Sequence, residues 1–203
     1  MNILTENLPQ TLEVGGKTYK INTDFRAGIK FELMIQKSEG TVKDILTLFF
    51  TNELPIENKK QIEEAIKAIE LFYCCGELPD KEKKEDAPKT NVIPYAFDED
   101  ANAIFADFWN FYNIDLSNEG LHWWAFRSLL EGLPEKSEFK QRLYYRTVDV
   151  KNLSKSEKKR VLKIRSLIEI KPRDGEKITL ESRNKKMLDY VAKRMTEVAG
   201  GVK

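Results

Sequence analysis

Apolar and polar residues alternate along "TLEVGGKTYKI", residues 11–21. Leu12 and Val14 precede Gly15-Gly16, and Tyr19 and Ile21 follow. A period of two interrupted by two glycines predicts a β-hairpin with a two-residue turn. The period then lengthens. Thr23 or Asp24 can cap a helix running to about Ser38, with Phe25, Ile29 and Leu33 on one side and Phe31 and Ile35 widening the apolar arc. Arg26, Lys30 and Lys37 form a basic stripe away from that arc. A short apolar helix, "TVKDILTLFF", follows. From about Asn58 to Cys75, Ile62, Ile66, Ile69 and Tyr73 recur at helical spacing, until Gly76 offers a stop and Pro79 prevents continuation.

Residues 80–94, "DKEKKEDAPKTNVIP", are charged, carry two prolines, and read as a mobile linker. The linker divides a hairpin-plus-helices unit, 1–79, from an aromatic-rich helical unit, 95–175, and a C-terminal amphipathic helix lies within 176–203. In "YAFDEDANAIFADFWNFYNIDL", Asp98, Glu99 and Asp100 would stand at a helix start, where the backbone dipole favours negative charge. Ile104, Phe105, Phe108, Trp109, Phe111 and Tyr112 make that helix apolar nearly all round, which predicts deep burial. Further helices are expected over "LHWWAFRSLLEGLP", 135–147, 154–170 and 180–199. The fold class is therefore mostly α with a short N-terminal β-hairpin. The dipeptide Leu-Pro recurs at unequal intervals, so it marks helix ends rather than a tandem repeat.

On a wheel of about 100° per residue, Leu121, Trp123, Ala125, Phe126, Leu129 and Leu130 share one broad arc with His122 in its middle. Trp124 falls opposite, among Arg127, Ser128 and Glu131. Trp123 is thus expected in the core. Trp124 belongs either at a surface or beneath another element or a partner.

Composition narrows the chemistry. The 203 residues are 33% charged with a formal net charge of +1. No apolar run has membrane-spanning length, and "MNILTENLPQ" lacks a basic start and an apolar core, so a cytoplasmic protein is expected. Adjacent Cys74 and Cys75 are poorly disposed to bridge, and with His122 as the single histidine they make a poor zinc site. His122 reads as a hydrogen-bonded structural residue, since no nucleophile or second metal ligand accompanies it. Asp98, Glu99 and Asp100 lack the spacing and glycine of a calcium loop. Phosphate-binding, dinucleotide and nucleophile motifs are missing from the sequence. Neither cofactor nor enzymatic activity is expected; an unrecognised acidic site at Asp98, Glu99 and Asp100 is the rival reading.

Charge is segregated along the chain. Residues 77–119 hold eleven acidic and four basic side chains, and residues 136–173 hold thirteen basic and four acidic. Much of the basic excess lies in 151–173, "KNLSKSEKKRVLKIRSLIEIKPR". One reading is nucleic-acid binding through phosphate contacts. The other is a solvated face or a complement to the acidic segment in the same or a neighbouring molecule. The run carries no aromatic residue of the kind single-strand binders use, so nucleic acid is not the expected partner.

The segments "LPQTLEVGGKTYKINTDFRAGIKFE", "YAFDEDANAIFADFWNFYNIDL" and "LHWWAFRSLLEGLPEKSEFKQRLYYRTVDV" resemble the bacteriophage gene-product-fifteen family of tailed phages and prophages of Gram-positive bacteria. The resemblance extends to about residue 173. It carries over no catalytic residue. Family genes lie among tail genes just before the tape-measure gene, and the resemblance therefore implies a tail-assembly chaperone that coats the tape-measure protein in the host cytoplasm until tail-tube subunits replace it. The implied partners are the tape-measure protein and, besides it, the tail tube protein, a smaller tail chaperone or further copies of the chain. Trp124, Arg127 and the C-terminal stripe Leu188, Val191, Met195 and Val198 are the sequence's candidate contact residues; intramolecular packing is the alternative for each.

Overall fold

The computed structural model describes residues 2–37, 39–77 and 92–170. Linker residues 80–91 and the C-terminal stripe Leu188, Val191, Met195 and Val198 lie outside the described residues. Those described form two compact units: 2–37, 39–77 and 120–128 in the first, 92–119 and 129–170 in the second.

The first unit opens with strands β1 (Thr11–Val14) and β2 (Lys17–Lys20), antiparallel, with Leu12 opposite Tyr19 and Val14 opposite Lys17. Gly15 and Gly16 have φ of 60° and 76°, the double left-handed geometry that a side chain would strain. Three helices follow: α1 (Phe25–Lys37), α2 (Val42–Phe49) and α3 (Lys59–Tyr73). Thr41 and Asp44 form a reciprocal capping box on α2, and Asn58 caps α3 by accepting from Gln61 N–H at 2.9 Å. Beyond α3, Cys75 and Gly76 take φ of 56° and 84°, which ends the helix where the sequence predicts.

The buried face of α1 differs from the expected one. Phe25, Ala27, Gly28, Phe31, Glu32 and Ile35 are buried, while Ile29 and Leu33 are only half-buried. Two contacts explain the rotation. A Cβ built on Gly28 would come within 2.3 Å of the Trp123 ring, so the indole lies where a side chain would stand. Glu32 is tolerated inside because it accepts the Tyr73 hydroxyl at 2.6 Å and the Gln36 amide at 2.9 Å. Apolar periodicity registers neither a glycine that receives a ring nor a satisfied buried carboxyl.

Residues 120–128 contribute to this unit although 77 and 92 bound the undescribed segment before them. Trp123 N–H donates to Thr23 O at 2.7 Å and Phe25 N–H donates to Leu121 O at 2.9 Å, stitching the returning chain to the entrance of α1. Of the aromatic segment read over 95–175, residues 120–128 group with the first unit. Phe25 stacks on Phe126 with centroids 4.7 Å apart, and Phe31 meets Phe49 and Tyr73 edge-on at 5.4 and 5.2 Å.

The second unit contains α4 (Ala101–Tyr112), the end of α5 (Trp123–Glu131), α6 (Glu138–Thr147) and α7 (Lys155–Ile168). Ile104, Phe108, Leu130, Leu133, Phe139 and Val161 are among its buried side chains. Here too one expectation fails. The helix read as apolar all round buries only one side, through Ala103, Ile104, Asp107 and Phe108, because α6 covers it from one direction; Phe105 and Trp109 stay exposed. Asp107 spans to the start of α6, where its carboxylate accepts Glu138 and Phe139 N–H at 3.1 and 2.8 Å. The anion satisfies two orphan donors and meets the positive end of the helix.

Candidate functional site

The paired tryptophans are structural. Trp123 and Trp124 are both buried, and their indole N–H groups donate to Tyr73 O at 2.8 Å and Phe72 O at 2.7 Å. Two successive carbonyls at the C-terminal end of α3 are thereby engaged, and Phe72 O also accepts Cys75 N–H at 3.0 Å. Trp124 also approaches Gly76, where a Cβ would sit 3.1 Å from its ring. The partner-contact reading of Trp124 is corrected accordingly: another element of the chain covers it. The helical wheel placed Trp124 opposite Trp123 but could not supply the end of α3. Arg127 is half-buried, its guanidinium 5.6 Å from the Trp123 ring centroid.

His122 is half-buried. Nε2 donates to Pro9 O at 2.9 Å, and Nδ1 accepts Trp124 N–H at 3.1 Å, which sets the tautomer. Burial pushes its pKa below the ordinary imidazole value, and the hydrogen bond to Pro9 only partly opposes this. With both nitrogens engaged, the ring positions the entry to α5. Neither Cys74 nor Cys75 is disulfide-bonded; burial, with Glu70 nearby, pushes Cys74 up to about 11.

The acidic triplet also separates. Asp98 and Glu99 are exposed, whereas Asp100 is fully buried. Arg146 grips Asp100 with two donors at 2.7 and 2.9 Å, and Arg142 adds a third at 3.3 Å. Arg146 also donates to Pro94 O and Ile168 O, so one guanidinium ties the residues before α4 to the end of α7. Among the described residues, no group of three His, Cys, Asp or Glu side chains is placed to hold a metal ion. No helix among them is long and apolar enough to cross a membrane.

A groove and two exposed helix faces lie at the surface of the described residues. Between α1 and α2 lies an open groove of about 490 Å³. Leu33, Met34 and Leu48 supply its apolar lining, flanked by Lys30, Lys37, Glu39, Asp44 and Thr47. The Thr41 hydroxyl and backbone N–H hold the Asp44 carboxyl below the usual carboxylate range, so the groove carries a fixed negative charge. Sequence reading missed the groove because it placed Lys30 and Lys37 on a solvated stripe. The detectable signal was an apolar arc on α1 wider than one buried face needs. On α4, the exposed Phe105 and Trp109 stack with centroids 6.3 Å apart. The basic segment 151–173 is described to residue 170, and in α7 only Val161 is buried while Lys155, Lys158, Lys159, Arg160 and Lys163 are exposed.

A family model described as Bacteriophage Gp15 protein matches residues 4–170. No curated protein and no solved structure matches the chain.

Proposed function

The chain belongs to the Bacteriophage Gp15 protein family, and on that premise we propose that it acts in tail morphogenesis as a tail-assembly chaperone for the tape-measure protein. The reading rests on the gene position that the family resemblance implies, and on one structural observation, the groove between α1 and α2. A helical client presents apolar side chains at one-turn spacing, and such a stripe fits a shallow apolar groove between two helices. Leu33, Met34 and Leu48 would receive the stripe, while Lys30 and Lys37 on one helix and Asp44 on the other meet the client's polar flanks.

Such contacts are weak one at a time and effective in number, since tethering along one long client raises the local concentration of each next contact. Weak contacts also let tail-tube subunits displace the chaperone. Binding, without a catalytic step, in the cytoplasm of the bacterial host is the proposed mode of action.

Genetics tests the role without reference to the groove. Deleting the gene from an inducible phage should leave heads but no infectious tails, with rescue from a plasmid copy. Normal tails in the deletion strain would overturn the assignment.

A further inference from the structure

The second unit carries two solvent faces of opposite character. On α4, Phe105 and Trp109 are 38% and 51% exposed and stack on each other. Apart from the buried Asp100 and Asp107, the described residues 92–119 around this stripe carry four acidic side chains, Asp98, Glu99, Asp115 and Glu119, and no basic one. On α7, Leu162, Lys159, Lys163 and Leu167 fall within an arc of about 140° at about 100° per residue, and all are exposed. Leu162 and Leu167 are 43% and 79% exposed, so this face is apolar as well as basic. α4 and α7 each pack on α6 and turn these side chains to solvent, so neither face covers the other within one molecule.

We propose that the chain associates with itself head to tail, the aromatic stripe of α4 in one copy lying on the basic, leucine-bearing face of α7 in the next. The chemistry of the two faces matches. Lysine stems lie along aromatic rings while their ammonium groups reach the ring faces and neighbouring carboxylates. Leu162 and Leu167 flank those lysines and cover the indole. Because the two faces differ, each junction leaves one unused face at either end, and the contact propagates instead of closing as a two-fold dimer. Propagation deepens the chaperone reading, on which its purpose rests: successive copies would follow a long client. The contact itself is a property of the isolated protein, so its failure and the failure of client binding are separately observable. Two single-helix faces bury less than a standard interface, which places the association in the weak range, with Kd on the order of 100 µM.

Sedimentation velocity on the purified full chain tests this, using Trp109→Glu for one face and the double variant Lys159→Glu/Lys163→Glu for the other. The wild type should associate with rising concentration, and its association constant should fall roughly tenfold from low to high salt. Each variant alone should be monomeric. An equal mixture of the two should form a dimer and nothing larger, because it contains one intact junction and two dead ends. Phe105→Ser replaces Trp109→Glu if the latter fails to fold by circular dichroism. A wild type that stays monomeric throughout, a mixture that associates no better than its components, or a lysine variant that assembles like the wild type would each overturn the proposal.

Discussion

The Trp123 indole occupies the space where a side chain on Gly28 would stand. The ring is fully buried, stacked on Tyr73 at 5.1 Å, and held by its hydrogen bond to Tyr73 O. It cannot swing aside without breaking that bond. Gly28→Ala gains up to about 1 kcal/mol in helix propensity but forces an overlap that costs about 1–3 kcal/mol or more. With a 2.3 Å approach to a held ring, the overlap dominates. Urea unfolding should show Gly28→Ala destabilised by about 2 kcal/mol; an unchanged midpoint would mean that the ring is not fixed there.

Asp100 and Arg146 form a buried ion pair whose side chains are 0% and 2% exposed. Removing one member leaves a desolvated charge, so Asp100→Ala or Arg146→Ala should cost about 3–5 kcal/mol. Arg142 is more exposed and bonds also to Glu138, so Arg142→Ala should cost far less. Thermal melts of the three variants check the order. Equal losses for Arg142→Ala and Arg146→Ala would contradict it.

His122 titrates below its ordinary value in the folded chain because burial disfavours the cation. The unfolded chain therefore binds this proton more readily. The histidine's stabilising contribution is present above the unfolded value, about 6.5, and is lost as pH falls from there through the folded pKa. Unfolding free energy should decline across that acid window. His122→Gln should flatten the decline even if it lowers stability overall. An identical pH slope in the variant would exclude His122 as its source.

Much of the fold was legible because its determinants are local. Gly15-Gly16 between alternating residues gave the hairpin, and the helix starts expected near Thr41, Asn58 and Ser154 carry local side-chain caps. Contacts between distant residues were not legible. The pairing of Asp100 with Arg146 spans 46 positions, and the bond from Trp124 to Phe72 spans 52. Helical periodicity assigned Ile29 and Leu33 to the main buried face of α1, whereas the ring received by Gly28 turned that face away and left Leu33 beside Met34 in the groove. The candidate surfaces were therefore the least readable feature, because they depend on what each helix does not bury.

The exposed lysines of α7 would support nucleic-acid binding if phosphate contacts were their purpose. The account predicts no appreciable DNA binding at physiological salt, where counterion release contributes less. A gel shift at sub-micromolar protein that disappears in Lys158→Glu/Lys159→Glu would establish the opposite.

Co-expression with the neighbouring tape-measure protein tests the central claim most directly, with the amount of soluble tape-measure protein that co-purifies as the measurement. The wild type should keep the client soluble and bring it down in several copies. Met34→Glu places a charge among Leu33, Met34 and Leu48 without touching the fully buried core, and should reduce co-purification at least roughly tenfold. Trp124→Ala should instead unfold or weaken the protein itself, by about 3–5 kcal/mol, since its ring is internal. A tape-measure protein that is soluble alone and forms no complex would contradict the chaperone reading, and full complex formation by a folded Met34→Glu protein would contradict the groove.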